Sequence, residues 1–138
     1  MTKYMKTKHI HSGFTMMELL IVIVILGLLM SLVAPDFFKR LSSSERKIAA
    51  AQMASFETAI DTYRLDVGNY PKTLQELRSS DIARWDGPYL PKDLPMDPWG
   101  NPYVYKVPGE NGSPYLLKSL GADGQEGGEE VNADIVHQ

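Results

Sequence analysis

The acidic residues near the C-terminus have the side chains best suited to chemistry, namely the binding of a hard cation. Asp123 and Asp134 enclose a loop with three glycines and three glutamates: Gly124, Gly127, Gly128, Glu126, Glu129 and Glu130. Calcium prefers six to eight oxygen ligands from carboxylates and carbonyls, and an irregular glycine-rich chain can turn both inward. The spacing does not fit an EF-hand, and a solvated acidic loop is the simpler alternative.

Glu18 is a second candidate, because it is charged and directly precedes an apolar stretch. Residues 19–34 contain no charge, and an ionisable group in a membrane segment costs about 2.5–3.5 kcal/mol at the bilayer centre. Glu18 therefore needs either interfacial water or a positively charged partner. If the chain were cut after Gly13, the new α-amino group of Phe14 would lie about one helical turn from Glu18. The two charges could then neutralise each other, within a subunit or between neighbours.

No pattern in the sequence is typical of an active site. The chain has no cysteine, no phosphate-binding glycine loop, no G-x-S-x-G and no H-E-x-x-H. Glu57 and Asp61 lie four residues apart on one helix face, which suits acid–base chemistry but is more typical of a solvated surface. His9 and His11 lie close to the N-terminus, and His137 has no evident partner. The sequence thus predicts a protein that is not an enzyme.

One long helix must position most of these residues. The stretch from Phe14 to Ala34 would be about 32 Å long as a helix, enough to span a bilayer. Apolar residues continue at helical spacing to about Val67, where Gly68 and Pro71 follow as stop signals. The second half of this helix is amphipathic, and its core-facing stripe comprises Phe56, Ile60 and Tyr63.

A small α+β domain is expected to complete the chain. Thr73 and Glu76 have the spacing of a capping box, which predicts a short second helix through Leu77. Prolines keep residues 79–101 irregular. A hairpin and a weaker third strand are predicted at residues 103–107, 115–118 and 135–136. The predicted fold is a long N-terminal helix packed against a small antiparallel sheet.

Length and charge restrict the class of protein. A chain of 138 residues with one long apolar stretch is too small for a multidomain enzyme and cannot be a polytopic transporter. The basic residues before the stretch are Lys3, Lys6 and Lys8, so the positive-inside rule places the N-terminus in the cytoplasm. The remaining chain is acidic, which argues against nucleic-acid binding. A cleaved signal peptide fits poorly, because Leu32 occupies a position where its cleavage site needs a small residue.

Residues 13–18, with the sequence GFTMME, resemble the class III signal of type IV pilins and pseudopilins. The resemblance implies cleavage between Gly13 and Phe14 by a prepilin peptidase, followed by N-methylation of Phe14. It also implies that Glu18 pairs with the Phe14 amine of an adjacent subunit during filament assembly. Pro35 matches the proline that kinks the helix in that family.

The second half of the chain indicates which group of pilin-like proteins the sequence resembles. Three segments resemble the major pseudopilins of the type II secretion system: residues 69–71, 94–103 and 119–124. The resemblance implies a calcium ion bound by the side chains of Asp123 and Asp134 and by the carbonyls of Leu120 and Val131. Ala133 departs from the family, where some members have a second aspartate. The absence of cysteine also favours calcium, because an extracytoplasmic loop without a disulfide needs another crosslink.

The resemblance further implies an organisation and a function. We expect a cleaved leader at residues 1–13, a transmembrane polymerisation helix at 14–35, and a periplasmic domain at 36–138 that ends in the calcium loop. The protein would cross the bacterial inner membrane once. It would polymerise into a pseudopilus that pushes folded proteins through an outer-membrane secretin. Its partners would be other copies of itself, minor pseudopilins, the inner-membrane secretion platform and the prepilin peptidase.

The resemblance also implies contacts between subunits. In the family, Glu57 and Asp61 can form salt bridges with the residue at the position of Lys92 in another subunit.

The rival function is a major type IV pilin that forms surface fibres for adhesion, motility or DNA uptake. Such pilins usually carry a C-terminal disulfide, and this chain has no cysteine. A signal-anchored calcium-binding module or enzyme of the periplasm is a further alternative.

Overall fold

The computed structural model describes residues 13–137, which divide into two compact units, one ending at Lys39 and the other beginning at Arg40. The basic and histidine residues predicted to form the leader, Lys3, Lys6, Lys8, His9 and His11, lie outside the described residues. Helix α1 spans Met16–Val67 and contributes to both units. It begins two residues after Phe14, the predicted start, and ends at Val67, as predicted.

Both ends of α1 have a local cause. At the start, the Thr15 hydroxyl accepts the backbone N–H of Glu18 at 3.1 Å, which satisfies one of the free donors of the first turn. At the end, Gly68 has a φ of +92°. Its backbone N–H donates to the Arg64 carbonyl at 2.8 Å, as in a left-handed helix cap.

The apolar half of α1 belongs to the first unit and is exposed. All the large apolar side chains from Leu19 to Val33 lie on the surface of the unit. This part of α1 is long and apolar enough to cross a membrane. Pro35 lies inside the helix, where its missing N–H leaves one carbonyl of the preceding turn without its helical partner.

The second unit has its core between α1 and a three-stranded antiparallel sheet. The strands are β1 (Val104–Lys106), β2 (Leu116–Ser119) and β3 (Ile135–His137), in the order β1-β2-β3. The buried face of α1 comprises Ala49, Met53, Phe56, Ala59, Ile60 and Tyr63, which confirms the predicted stripe. Phe56 packs edge-on against Tyr103 with ring centroids 5.2 Å apart. The predicted α+β fold is confirmed.

The predicted capping box is wrong. Residues Leu74–Leu77 form a single 3₁₀ turn, and the Thr73 side chain makes no capping hydrogen bond. The Glu76 carboxylate instead accepts the Tyr63 hydroxyl at 2.8 Å and the backbone N–H of Lys72 at 3.1 Å. The tertiary contact with α1 therefore replaces the local cap. A second 3₁₀ turn, Glu130–Asn132, lies in the acidic loop.

Candidate functional site

The predicted processing site is accessible and precedes the helix. Gly13, Phe14 and Thr15 lie before the first turn of α1, and Phe14 is 81% exposed. A side chain added at Gly13 would meet no atom within 4 Å. Among the described residues, Glu18 forms no ion pair, and its side chain lies on the surface. The surface position of the carboxylate makes it accessible to a partner from another chain.

The residues predicted to join subunits are not joined to each other within one chain. Asp61 and Lys92 are both exposed and form no ion pair within residues 13–137. Glu57 already has a partner, since its Oε2 atom lies 2.8 Å from Nε2 of His137. That contact lacks hydrogen-bond alignment, so it is a close approach of the two side chains and not a hydrogen bond. The expectation that His137 has no partner is therefore wrong, because β3 brings it to α1.

The residues predicted to bind calcium lie in one loop between β2 and β3. Asp123 is exposed, and its Oδ1 atom accepts the backbone N–H of Gln125 at 3.1 Å. The Val131 carbonyl accepts the N–H of Ala122 at 3.0 Å, which ties the two sides of the loop together. Leu120 immediately follows β2.

Gly121 permits this close approach. It has a φ of +69°, and an added Cβ would lie 2.7 Å from the Asn132 carbonyl oxygen and 3.0 Å from that of Val131. A side chain would therefore push the two sides of the loop apart. The carbonyl of Gly121 itself accepts the side-chain amide of Asn101 at 2.9 Å, which connects the loop to the segment before β1.

Asp134 is the half-buried carboxylate of the loop. Its Oδ1 atom is buried without a hydrogen-bond partner among the described residues, and Oδ2 lies 3.3 Å from Nζ of Lys118. Lys118 also contacts Oε1 of Glu126 at 3.0 Å. The hydrogen bond to Glu126 raises the pKa of Lys118, and Lys118 in turn lowers the pKa of Glu126. The Lys118 ammonium and the Glu126 carboxylate thus both favour their charged forms.

The donor atoms of the loop fit a hard cation. The unpartnered Oδ1 atom of Asp134 is an acceptor that can bind a cation, and Asp123 and the loop carbonyls supply further oxygens. No group of three or more carboxylate, histidine or cysteine side chains able to hold a metal occurs within residues 13–137. Main-chain carbonyls would therefore have to supply much of the coordination.

Two residues important for the loop were missed by the sequence analysis. Arg46, on α1, donates from Nη1 to the carbonyls of Glu130 at 3.2 Å and Ala133 at 3.0 Å. Lys118, on β2, contacts Glu126 and Asp134. No local pattern in the sequence indicates that Arg46 contacts the loop. Alternation along β2 could have indicated that Lys118 lies on the opposite face from Leu117.

The fold and the N-terminal segment together define a class. An exposed apolar helical half continues into an amphipathic half that packs on a small antiparallel sheet, which is the type IV pilin-like arrangement. The family model for type II secretion system (T2SS), protein G matches residues 36–138, and the model for the prokaryotic N-terminal methylation motif matches residues 8–34. The chain belongs to the type II secretion system protein G family.

Curated relatives and a solved structure agree with this assignment. The chain is 42% identical over 132 residues to the type II secretion system core protein G of Pseudomonas aeruginosa, covering 90% of this chain and 92% of that protein. It is 40% identical over 139 residues to that of Vibrio cholerae, covering 95% and 94%. The crystal structure of the major pseudopilin of enterohaemorrhagic Escherichia coli superposes with a TM-score of 0.61 at 30% identity, covering 74% of this chain and 93% of that one.

These findings confirm the predicted resemblance to the major pseudopilins. They favour the pseudopilin function over a surface pilin, since the relatives are named as type II secretion proteins. The family consists of structural subunits, in keeping with the sequence of this chain, which lacks a recognisable catalytic motif.

Proposed function

We propose that the chain is the repeating subunit of a periplasmic pseudopilus that moves folded proteins out through an outer-membrane secretin. The observation that carries this proposal is the exposed apolar half of α1, attached to a domain whose core is already closed. Such a helix has two environments that bury it, a bilayer and a bundle of identical helices. When the helix moves from the bilayer into the bundle, its apolar surface stays away from water.

Processing creates the subunit that assembles. Cleavage between Gly13 and Phe14 releases the basic leader, and the new amine of Phe14 is then N-methylated. The match to the methylation motif and the exposure of Phe14 support this step. The amine pairs with Glu18 of an adjacent subunit, so one carboxylate sets the position of the next subunit along the filament. Assembly uses the inner-membrane platform, and minor pseudopilins join the same filament.

The direction of insertion follows from charge. The lysines before the apolar stretch remain on the cytoplasmic side, and the domain from residue 36 onward lies in the periplasm. The protein then crosses the inner membrane once, until assembly withdraws its helix. The helix that could span a membrane supports this arrangement.

The acidic loop binds calcium in this proposal. Asp123 and Asp134 supply carboxylate oxygens, while Leu120 and Val131 supply carbonyl oxygens. The unpartnered Asp134 Oδ1 atom and the glycine-rich chain support such a site. When bound, calcium neutralises the acidic loop and fixes its conformation.

One complementation experiment tests the function. A bacterium that lacks its own protein G is given this chain together with its cognate secretion machinery, and the exported folded proteins are measured. We expect restored export and short filaments that depend on the machinery. Surface fibres with adhesion or motility and without export would contradict the proposal and support the pilin alternative. Intact mass of the assembled subunit, expected to begin at Phe14 with one added methyl group, tests the processing separately.

A further inference from the structure

Lys118 lies beside the carboxylate that the proposed calcium site requires. Its Nζ atom is 3.3 Å from Oδ2 of Asp134 and 3.0 Å from Oε1 of Glu126. The side chain of Lys118 is 12% exposed and that of Asp134 is 17% exposed. Charges that are shielded from solvent interact more strongly than exposed ones. The contact with Asp134 is therefore more than a surface ion pair.

The sheet fixes the position of Lys118. The residue lies on the central strand β2, opposite Val104 of β1 and Val136 of β3. Its neighbour Leu117 is fully buried against the core, so Lys118 points to the other face, where the acidic loop lies. Because β2 is paired on both sides, its backbone cannot shift to move the ammonium away. Only the side chain itself can move.

The two partners of Lys118 differ in their proposed roles. Asp134 belongs to the calcium ligands, whereas Glu126 does not. Glu126 is exposed, with 71% of its side chain accessible. A lysine that loses its contact with Asp134 can thus keep Glu126 as a partner. The ammonium therefore keeps one carboxylate partner and does not become an unpaired buried charge.

We propose that Lys118 competes with calcium for Asp134 and thereby lowers the calcium affinity of the acidic loop. This inference rests on the proposed calcium site. At low calcium, the ammonium neutralises Asp134. At high calcium, the divalent ion takes the carboxylate and the lysine remains with Glu126. A positive charge close to the site repels a divalent cation, so the lysine sets the concentration at which the exchange occurs.

Calcium titration of the full chain in detergent, followed by calorimetry, tests the competition. Lys118→Met removes the charge but keeps an unbranched apolar stem, and Lys118→Arg keeps the charge. Lys72→Met is the matched control, because Lys72 is exposed and its loss changes the net charge equally. We expect about tenfold tighter calcium binding by Lys118→Met. Lys118→Arg and Lys72→Met should bind like the wild-type chain.

The experiment tests the competition by Lys118 and the calcium site separately. Unchanged or weaker calcium binding by Lys118→Met would overturn the competition, while binding by the wild-type chain would still support the calcium site. Absence of calcium binding by the wild-type chain would overturn the site itself.

A measurement on the wild-type chain does not depend on any variant folding. Amine acetylation, read by mass spectrometry, is compared with calcium present and with chelator present. Calcium should speed the labelling of Lys118, because the amine loses one of its two carboxylate partners, while Lys72 labels equally in both. Equal labelling of Lys118 in the two conditions, in a chain that binds calcium, would overturn the proposal.

Discussion

The hydroxyl of Ser119 donates a 2.7 Å hydrogen bond to Oδ2 of Asp97, and both residues are buried. The other carboxylate oxygen accepts the backbone N–H groups of Trp99 at 3.1 Å and Asn101 at 2.8 Å. Ser119 ends β2, and its Oγ atom also accepts the N–H of Gly121 at 3.3 Å. One buried carboxylate therefore joins the loop before β1 to the start of the acidic loop.

Replacing Asp97 with alanine is expected to destabilise the domain. The Asp97→Ala change leaves the buried Ser119 hydroxyl and two partly buried backbone N–H groups without their acceptor, at a cost of about 3 kcal/mol. Denaturant unfolding of the full chain in detergent measures the loss. The control is Asp93→Ala in the same loop, since Asp93 is exposed and its contact with Arg78 is 3.5 Å long. We expect that control to change stability by less than about 0.5 kcal/mol. Equal losses in both variants would contradict the role of Asp97.

Replacing Glu18 with alanine should separate membrane insertion from assembly. Glu18→Ala removes a charge from the membrane end of α1, so insertion continues. Filament formation should fail, because the Phe14 amine loses its partner. Membrane fractionation and electron microscopy measure the two steps. Asp36→Ala, which removes an exposed acid from the same helix, should assemble normally. Normal filaments from Glu18→Ala would show that the pairing is dispensable.

Charge reversal tests the proposed contact between subunits. Asp61→Lys places a cation opposite Lys92 of another subunit, so assembly should fall through like-charge repulsion. Adding Lys92→Asp should restore it, since the pair is then present in the opposite orientation. Secretion and filament yield are the measurements. Adding Lys72→Asp to Asp61→Lys instead should give no rescue. If Lys92→Asp also fails to rescue, Asp61 and Lys92 are not partners.

Removal of calcium should expose the acidic loop to proteolysis. A glutamate-specific protease can cut after the three loop glutamates, Glu126, Glu129 and Glu130. We expect slow cutting in calcium and fast cutting in chelator, because the ion fixes the loop. Asp134→Asn should be cut fast in both conditions. Glu110→Gln, in the exposed turn between β1 and β2, should keep the protection. Equal rates for the wild-type chain with and without calcium would refute a structural ion.

Tyr63 is expected to make the fold sensitive to alkali. Burial, and then the hydrogen bond to Glu76, raise the pKa of Tyr63 to about 12. A pKa raised by folding gives a contribution that is complete below the unfolded value and is lost as pH rises through the folded value. Stability should thus fall by at most about 2 kcal/mol between about pH 10 and pH 12. Tyr63→Phe should show a smaller fall in denaturant unfolding across this window. An identical fall would exclude Tyr63 as the cause.

The sequence predicted α1 and the sheet because their signals are local. Helical spacing of apolar residues and the stop at Gly68 located the end of α1 at Val67. The strand at Val104–Lys106 lies within its predicted range, and that at Leu116–Ser119 is offset by one residue. The weakly marked third strand exists because it pairs with β2. Such pairing depends on the neighbour more than on the residues of the strand itself.

The site was less predictable, because its contacts join distant parts of the chain. Arg46 reaches carbonyls 84 and 87 residues away, and no local spacing encodes such a contact. Glu76 matched a capping pattern but accepts the hydroxyl of Tyr63, which only the packing of the turn against α1 makes available. The acidic loop itself was evident, since its composition alone identifies it.

The pairing of Ser119 with Ile135 in the β2–β3 register has a thermodynamic consequence for the acidic loop. The sheet already brings the two ends of the loop together, so most of the entropy lost on closing it is lost when β3 pairs. A cation therefore adds local order to a closed loop, whereas a disulfide stabilises a domain largely by restricting its unfolded chain. Calcium should protect the loop from local opening far more than it raises the temperature at which the whole domain unfolds.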